Sequence, residues 1–93
     1  MVRRTTRQSW HGFVSGQRVR MLIETRGATA DDEETTHPSG TLATISGLAN
    51  FGDFQGDGVD LVIGDGDRAI CNSFDDRDIK ALGGIPFTLV EHD

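Results

Sequence analysis

The side chains able to do chemistry fall into a few groups along the chain. Asp31-Asp32-Glu33-Glu34 is an unbroken run of carboxylates inside a polar stretch, Arg3, Arg4 and Arg7 crowd the N-terminus, and Phe51 and Phe54 stand in a glycine-rich stretch from Gly47 to Gly58. These are groups for binding. Carboxylates attract a basic surface, arginines a phosphate backbone, and exposed aromatic rings fill a partner's pockets. Catalytic groups are less well arranged. His11, His37 and His92 are scattered with no metal-ligand spacing, and no Cys-His or Ser-His-Asp arrangement is indicated locally. Cys71 falls in a predicted strand, where it reads as a small buried hydrophobe rather than a nucleophile. Gly64-Asp65-Gly66-Asp67 lacks the lysine and the following helix of a phosphate cradle, and its acids repel phosphate. Asp75, Asp76 and Asp78 read as charges at a helix start rather than as catalysts. The chain reads as a non-enzyme with no cofactor and no resident metal.

Charge narrows the choice of partner. The 93 residues hold 9 Lys+Arg and 15 Asp+Glu, for a net charge of −6. The first 20 residues hold Arg3, Arg4, Arg7, Arg18 and Arg20 and no acid, so they carry +5. The remaining 73 set Arg26, Arg68, Arg77 and Lys80 against all 15 acids and carry −11, which returns the net −6. Such a body repels phosphate, so nucleic acid can engage only through the N-terminal arm. The length allows one domain with one small core and excludes a multi-domain enzyme. No apolar run approaches the roughly 20 residues of a membrane span. Met1 to Gln8 is followed by Trp10-His11-Gly12 rather than by an apolar stretch, so no secretory signal is expected. A single cysteine, Cys71, cannot form an internal disulfide, and a reduced cytoplasmic setting is the expectation.

The elements that must carry these groups are short strands. Residues 1–9 read as a polar, mobile arm. From Gln17 to Glu24, Val19, Met21 and Ile23 alternate with Arg18, Arg20 and Glu24, a half-buried strand. Thr25 to Gly40 is polar throughout and is expected to be a flexible loop. Gly40 to Ser46 is a second strand with β-branched Thr41, Thr44 and Ile45, and Gly47 to Gly58 is a connection. Val59, Leu61 and Ile63 mark a third strand. Asp65-Gly66 is predicted to turn the chain tightly, as a type I′ hairpin, into a strand from Arg68 to Asn72. Ser73 to Leu82 reads as a helical or 3₁₀ turn capped by Ser73 and broken by Gly83-Gly84. Ile85 to Glu91 is a last extended piece. Trp10 and Phe13 are expected to plug one end of the core. The sum is an all-β chain: a small antiparallel barrel of about five strands with one short 3₁₀ or helical turn and a C-terminal extra strand. Its divisions are a basic arm (1–15), the barrel (16–82) and an edge strand with tail (83–93).

The order of these pieces resembles SH3-like barrels of the bacterial and KOW-like kind. Gly16-Gln17-Arg18-Val19-Arg20 opens the first strand and a long loop follows. Ser39-Gly40-Thr41-Leu42-Ala43-Thr44-Ile45 looks like a "G-T-V-x-x-I" strand, Val59 to Ile63 and Ala69 to Asn72 form the next hairpin, and Asp76 to Leu82 looks like a closing "D-D-I-x-x-L" turn. The resemblance implies an adaptor or a binding module for protein or nucleic acid. One enzyme of this shape, the plasmid-borne type II dihydrofolate reductase, opens with a similar "G-D-R-V-R" and builds one site from four subunits around a "V-Q-I-Y" strand. The equivalent Ala69-Ile70-Cys71-Asn72 differs at every side chain that would face substrate, so that activity is not carried over.

A second, local resemblance covers Gly52 to Gly64, which looks like an FG-GAP repeat, "G-D-F-N-G-D-G-x-x-D-L-x-I-G". It implies Asp53, Gln55 and Asp57 as ligands of Ca²⁺, a hard cation suited to oxygen donors on a tight turn. One residue is missing from the repeat, so Asp60 arrives early and would face away from the core. A single repeat also has no neighbouring blade to bury its faces. The plainer expectation is a glycine-rich hairpin with acidic exposed positions.

Three functions are compatible with these residues. The preferred one is an interaction module that meets a protein partner through Asp31, Asp32, Glu33, Glu34, Phe51 and Phe54. The second is a nucleic-acid role, either direct binding by Arg3, Arg4 and Arg7 or mimicry of DNA by the acidic face, as in some mobile-element accessory proteins. The third is a small homo-oligomeric enzyme with an inter-subunit site.

Overall fold

The structure, a computed structural model, describes residues 5–6, 8–52 and 56–90. In chain order the strands are β1 (Thr5–Thr6), β2 (Arg18–Met21), β3 (Thr25–Ala28), β4 (Glu34–His37), β5 (Leu42–Asn50), β6 (Asp57–Ile63) and β7 (Ile70–Asp75). A helix, α1 (Asp76–Leu82), and a last strand, β8 (Phe87–Leu89), complete the chain. Five strands form one antiparallel sheet in the order β7-β6-β5-β2-β8, β1 pairs with β5 beside this path, and β3-β4 form a separate hairpin. The result is the all-β domain expected, with its helical turn and its C-terminal strand, which pairs with β2 through Met21 and Phe87.

One face of one sheet supplies the core. Val19, Met21, Ala43, Ile45, Leu48, Val59, Leu61, Ile63, Ile70 and Phe87 form a single buried cluster, joined only by Trp10 from outside the strands. A sheet whose inner face is buried against itself must curl, and the right-handed twist of strands supplies the curl. The alternation in β2 and β6 follows from this: Val19 and Met21, and Val59, Leu61 and Ile63, are fully enclosed.

β5 runs past the predicted boundary at Ser46 to Asn50. Its pairing with β6 shifts register between Ile45 and Gly47. This bulge adds one residue, so Ile45 and Leu48, three apart, both reach the core. The period-two pattern therefore breaks in the middle of a continuous strand.

Four local expectations are corrected. The segment from Thr25 to Gly40 is not a loop without structure: β3 and β4 pair in register from Thr25↔His37 to Ala28↔Glu34. Its alternating Thr25, Thr29, Thr35 and His37 are buried, short hydroxyls and one imidazole in place of aliphatic groups. The connection from Gly64 to Ala69 is not a tight type I′ turn. Asp65 is extended at φ −131, so the two consecutive positive φ values of that turn are absent, and a 3₁₀ turn forms at Gly66–Arg68 instead. The helix is capped by Asp75 rather than by Ser73, because Ser73 and Phe74 continue β7. The Asp75 carboxylate accepts from the Asp78 amide at 2.9 Å, Asp78 accepts from the Asp75 amide at 3.1 Å, and Gly83 ends the helix in the left-handed conformation at φ 82. Cys71 is exposed, since Ile70 takes the inward position at the start of β7 and the next side chain points outward.

The N-terminal segment is partly built in as well. Thr5 and Thr6 pair with Asn50 and Ala49 of β5. Trp10 and Phe13 exchange backbone hydrogen bonds at 2.9 and 2.8 Å around His11 (φ 49) and Gly12 (φ 85), a two-residue hairpin turn. This turn seats Trp10 in the core, at 3 % exposure, and brings Phe13 edge-on to Phe87 at 4.9 Å. Phe13 and Trp10 thus cover Phe87.

Candidate functional site

Asp31, Asp32 and Glu33 stand on the turn between β3 and β4, and Glu34 opens β4. The Asp32 amide donates to the Thr29 carbonyl at 2.9 Å and the Thr29 amide to the Glu33 carbonyl at 3.0 Å. Asp32 takes the left-handed conformation at φ 65, a position aspartate tolerates better than most residues. The hydroxyl of Thr29 accepts from the Glu33 amide at 3.3 Å. These bonds leave the acid side chains outward, and Asp31, Asp32, Glu33 and Glu34 are all exposed. Glu34 meets the Arg26 guanidinium at 3.4 Å, and the other three have no ion pair among the described residues.

The hairpin is fastened to the sheet by its buried face. Gly27 lies against Ile70, where a Cβ would come within 3.3 Å of the Ile70 Cβ. The Asn72 side-chain Nδ2 donates to the Arg26 carbonyl at 3.4 Å. His37 makes the firmest contact: its Nε2 lies 2.7 Å from the Arg68 carbonyl and so carries the proton, and its ring lies where a Gly64 Cβ would be, 2.6 Å from Cε1. Gly64 has no side chain to occupy the space the imidazole fills, and its φ of +84 favours glycine as well. Replacing His37 by alanine empties that space and strands a carbonyl, and is expected to cost about 1–3 kcal/mol. Hydrogen exchange checks it. The β3 and β4 amides should exchange at least about tenfold faster while those of β5 and β6 keep their protection. Equal acceleration everywhere would show that the hairpin has no separate fastening.

Phe51 belongs to the connection between β5 and β6. Its amide donates to the Gly56 carbonyl at 2.8 Å, and the Gly56 amide donates to the Gly52 carbonyl at 2.8 Å. The ring is half-buried over Gly58, opposite Asp75 of β7. Phe54 lies outside the described residues, as do Asp53 and Gln55 of the calcium alternative and Arg3, Arg4 and Arg7 of the nucleic-acid alternative. Of the calcium set, Asp57 alone is described, and the Asn50 side-chain Nδ2 donates to its Oδ1 at 2.9 Å. Among the described residues no group of three or more His, Cys, Asp or Glu side chains could hold a metal ion. Asp60 points off the core and accepts the Ser73 hydroxyl at 2.6 Å.

A junction that the sequence reading missed is centred on Asp76. Its Oδ1 accepts the Trp10 indole N–H at 3.0 Å and lies 3.2 Å from His11 Nε2, while its Oδ2 accepts the Asp57 amide at 3.1 Å. One carboxylate at the start of α1 thus ties the N-terminal turn to the start of β6. The partners are 65, 66 and 19 residues away in sequence, and no local spacing signals them. Asp76 keeps its place among helix-start charges, with this positioning task added.

The geometry is that of an all-β scaffold carrying one outward acidic turn. No helix among the described residues is long and apolar enough to cross a membrane. Comparison with known protein families, with curated proteins and with solved structures finds no match.

Proposed function

We propose that the protein is a non-enzymatic interaction module whose acidic turn, Asp31 to Glu34, engages a protein partner with a basic surface. The observation that carries this is the hairpin itself. Four adjacent carboxylates are exposed on a turn closed by backbone hydrogen bonds and anchored by His37, so they are ordered before binding. Preordering lowers the entropy cost of association, and a like-charged patch steers a cationic partner toward it. The negative body adds to that field, and Phe51 offers a half-buried apolar contact on a second connection bordering β7. The SH3-like resemblance points the same way, toward an adaptor or binding module.

The decisive measurement is capture of partners from a lysate with the parent protein and with a variant carrying Asp31→Asn, Asp32→Asn, Glu33→Gln and Glu34→Gln. These changes keep shape and remove charge. The captured protein should be lost or weakened at least about tenfold, and its binding to the parent should fall steeply with salt. The variant should fold as well as the parent, because like charges on one turn repel. Undiminished capture by the neutral turn would end this reading.

A further inference from the structure

We infer that the outer edge of β4 takes an extended segment of the partner protein as an added antiparallel strand, and that this segment carries basic residues just after the part that pairs. This rests on the acidic turn engaging a basic partner, as proposed above, and names how that partner is held.

The edge follows from the phase of the β3–β4 ladder. The Thr29 amide donates to the Glu33 carbonyl at 3.0 Å, and the register continues through Gly27↔Thr35 to Thr25↔His37. The N–H and C=O of one strand residue point to the same side, and the side alternates along the strand. Thr35 and His37 therefore turn theirs to β3, while Glu34 and Thr36 turn theirs outward. β3 is the only strand that pairs with β4. The two outward amides and two outward carbonyls have no hydrogen-bond partner among the described residues. Glu34 and Thr36 are both exposed, so a second chain can reach the row. Other borders of the fold are closed. The β3 edge is turned to β7, where the Arg26 carbonyl accepts from the Asn72 side chain, and on β8 Phe87 is only 3 % exposed. Strand addition uses such a row of unpaired, reachable backbone groups.

Charge selects the occupant. β4 leads directly out of Asp31-Asp32-Glu33, and Glu34 lies on the edge itself. β4 runs away from the acidic turn, so an antiparallel partner runs toward it and delivers its following residues to the carboxylates. Lysine or arginine at those positions meets opposite charge. A second copy of this chain is the poorer occupant, since it brings a net charge of −6 to an acidic edge. At roughly 3.4 Å per residue, Glu34–His37 spans about 13 Å and matches a partner segment of about four residues. Pro38 closes the row. It has no N–H, and its carbonyl already accepts the Thr41 amide at 3.2 Å and the Thr41 hydroxyl at 2.7 Å.

The test is a ¹H–¹⁵N NMR titration with end-blocked synthetic peptides. The probe is T-V-T-V-T-R-K-R. A second peptide carries N-methyl groups on every amide of its T-V-T-V-T stretch, and a third has the three basic residues moved to the front. The probe should bind with a Kd on the order of millimolar, shift the Glu34 and Thr36 amides and slow their hydrogen exchange at least about tenfold. The N-methylated peptide should bind at least about tenfold more weakly, because its charge is unchanged and its pairing is blocked. The basic-first peptide should bind severalfold more weakly. Thr36→Pro removes one outward N–H without breaking a ladder bond and should weaken the probe at least about tenfold. The N-methyl comparison uses the parent protein and stands if that variant misfolds. The two readings fail separately. If probe and N-methylated peptide bind alike, and only neutralising Asp31 to Glu34 abolishes binding, the acidic turn is upheld and strand addition is overturned. If the neutralised protein binds the probe as tightly as the parent, the basic occupant is overturned together with the acidic-turn reading. Concentration-dependent shifts of Glu34 and Thr36 in the protein alone would give the edge to a second copy and overturn the proposal.

Discussion

Replacing Trp10 by alanine is expected to remove about 3–5 kcal/mol of stability, the upper range for a buried aromatic. A domain of this size has about 5–15 kcal/mol in all. The indole is 3 % exposed and belongs to the single core cluster. It meets the His11 ring edge-on at 4.7 Å and lies 6.2 Å from the Phe87 ring. Nothing on the short turn from Trp10 to Phe13 can slide in to replace it, since Phe13 is already packed on Phe87. The cavity would therefore persist rather than collapse, which places the loss at the high end. Trp10→Phe separates packing from polarity. It keeps most of the apolar volume and loses only the indole donor to Asp76, whose side chain is 48 % exposed and can take water instead. That variant should lose about 1 kcal/mol. Urea unfolding followed by circular dichroism reads both, because the parent's only tryptophan is the residue removed. A Trp10→Ala protein within about 1 kcal/mol of the parent would show that the N-terminal turn does not hold the core closed.

Trp10 also shows where sequence reading worked and where it stopped. The aromatic pair was expected to plug the core because two large apolar groups stand next to a polar arm, and burial alone decides that. The turn that seats them was not foreseen, since His11 at positive φ is rare for a residue other than glycine. The strands β2 and β6 were legible because one buried face gives strict alternation of large aliphatic groups. The hairpin β3–β4 was not, because its inward positions are threonine and histidine and the hydropathy of the stretch is polar on both faces. The acidic run is plain in the sequence but reads there as part of a flexible loop, and the turn that orders it has no local signal. That order comes from His37 against Gly64 and Arg68, residues 27 and 31 positions away. The bulge in β5 hid the length of that strand by resetting its period. Asp76 reads from its neighbours as a helix-start charge, while its partners come from the N-terminal turn and the start of β6. Local chemistry thus predicted elements, while long-range contacts decided what those elements hold in place.

The same distinction governs the second large effect, at Gly58. A methyl group there would lie 2.5 Å from the Phe51 ring, 2.5 Å from the Phe74 carbonyl oxygen and 2.8 Å from the Asp75 Cα. Two of those three atoms are backbone, and backbone in a paired strand cannot step aside. Gly58→Ala is therefore expected to cost about 3 kcal/mol, the severe end of overpacking. The damage has a direction. Gly58 pairs directly with Asp75, and Asp75 caps α1. Displacing it loosens a cap that is itself worth about 1 kcal/mol. Exchange of the Ile79–Gly83 amides should rise together with the fall in melting temperature, and Phe51 should turn outward. Gly56→Ala is the internal comparison. Its φ of +78 is unfavourable for alanine, and its Cβ would come 2.7 Å from Asp76 Oδ2, the far end of a side chain that can yield only by releasing the Asp57 amide. That substitution should cost about 1–2 kcal/mol. The larger loss is thus expected at the glycine whose φ is ordinary, since rigid neighbours outweigh conformational preference at that position. If Gly58→Ala proves as stable as the parent, the Phe74 and Asp75 backbone cannot lie as close to Gly58 as this pairing places it, and the register of β6 on β7 beside the Asp75 cap would have to be abandoned.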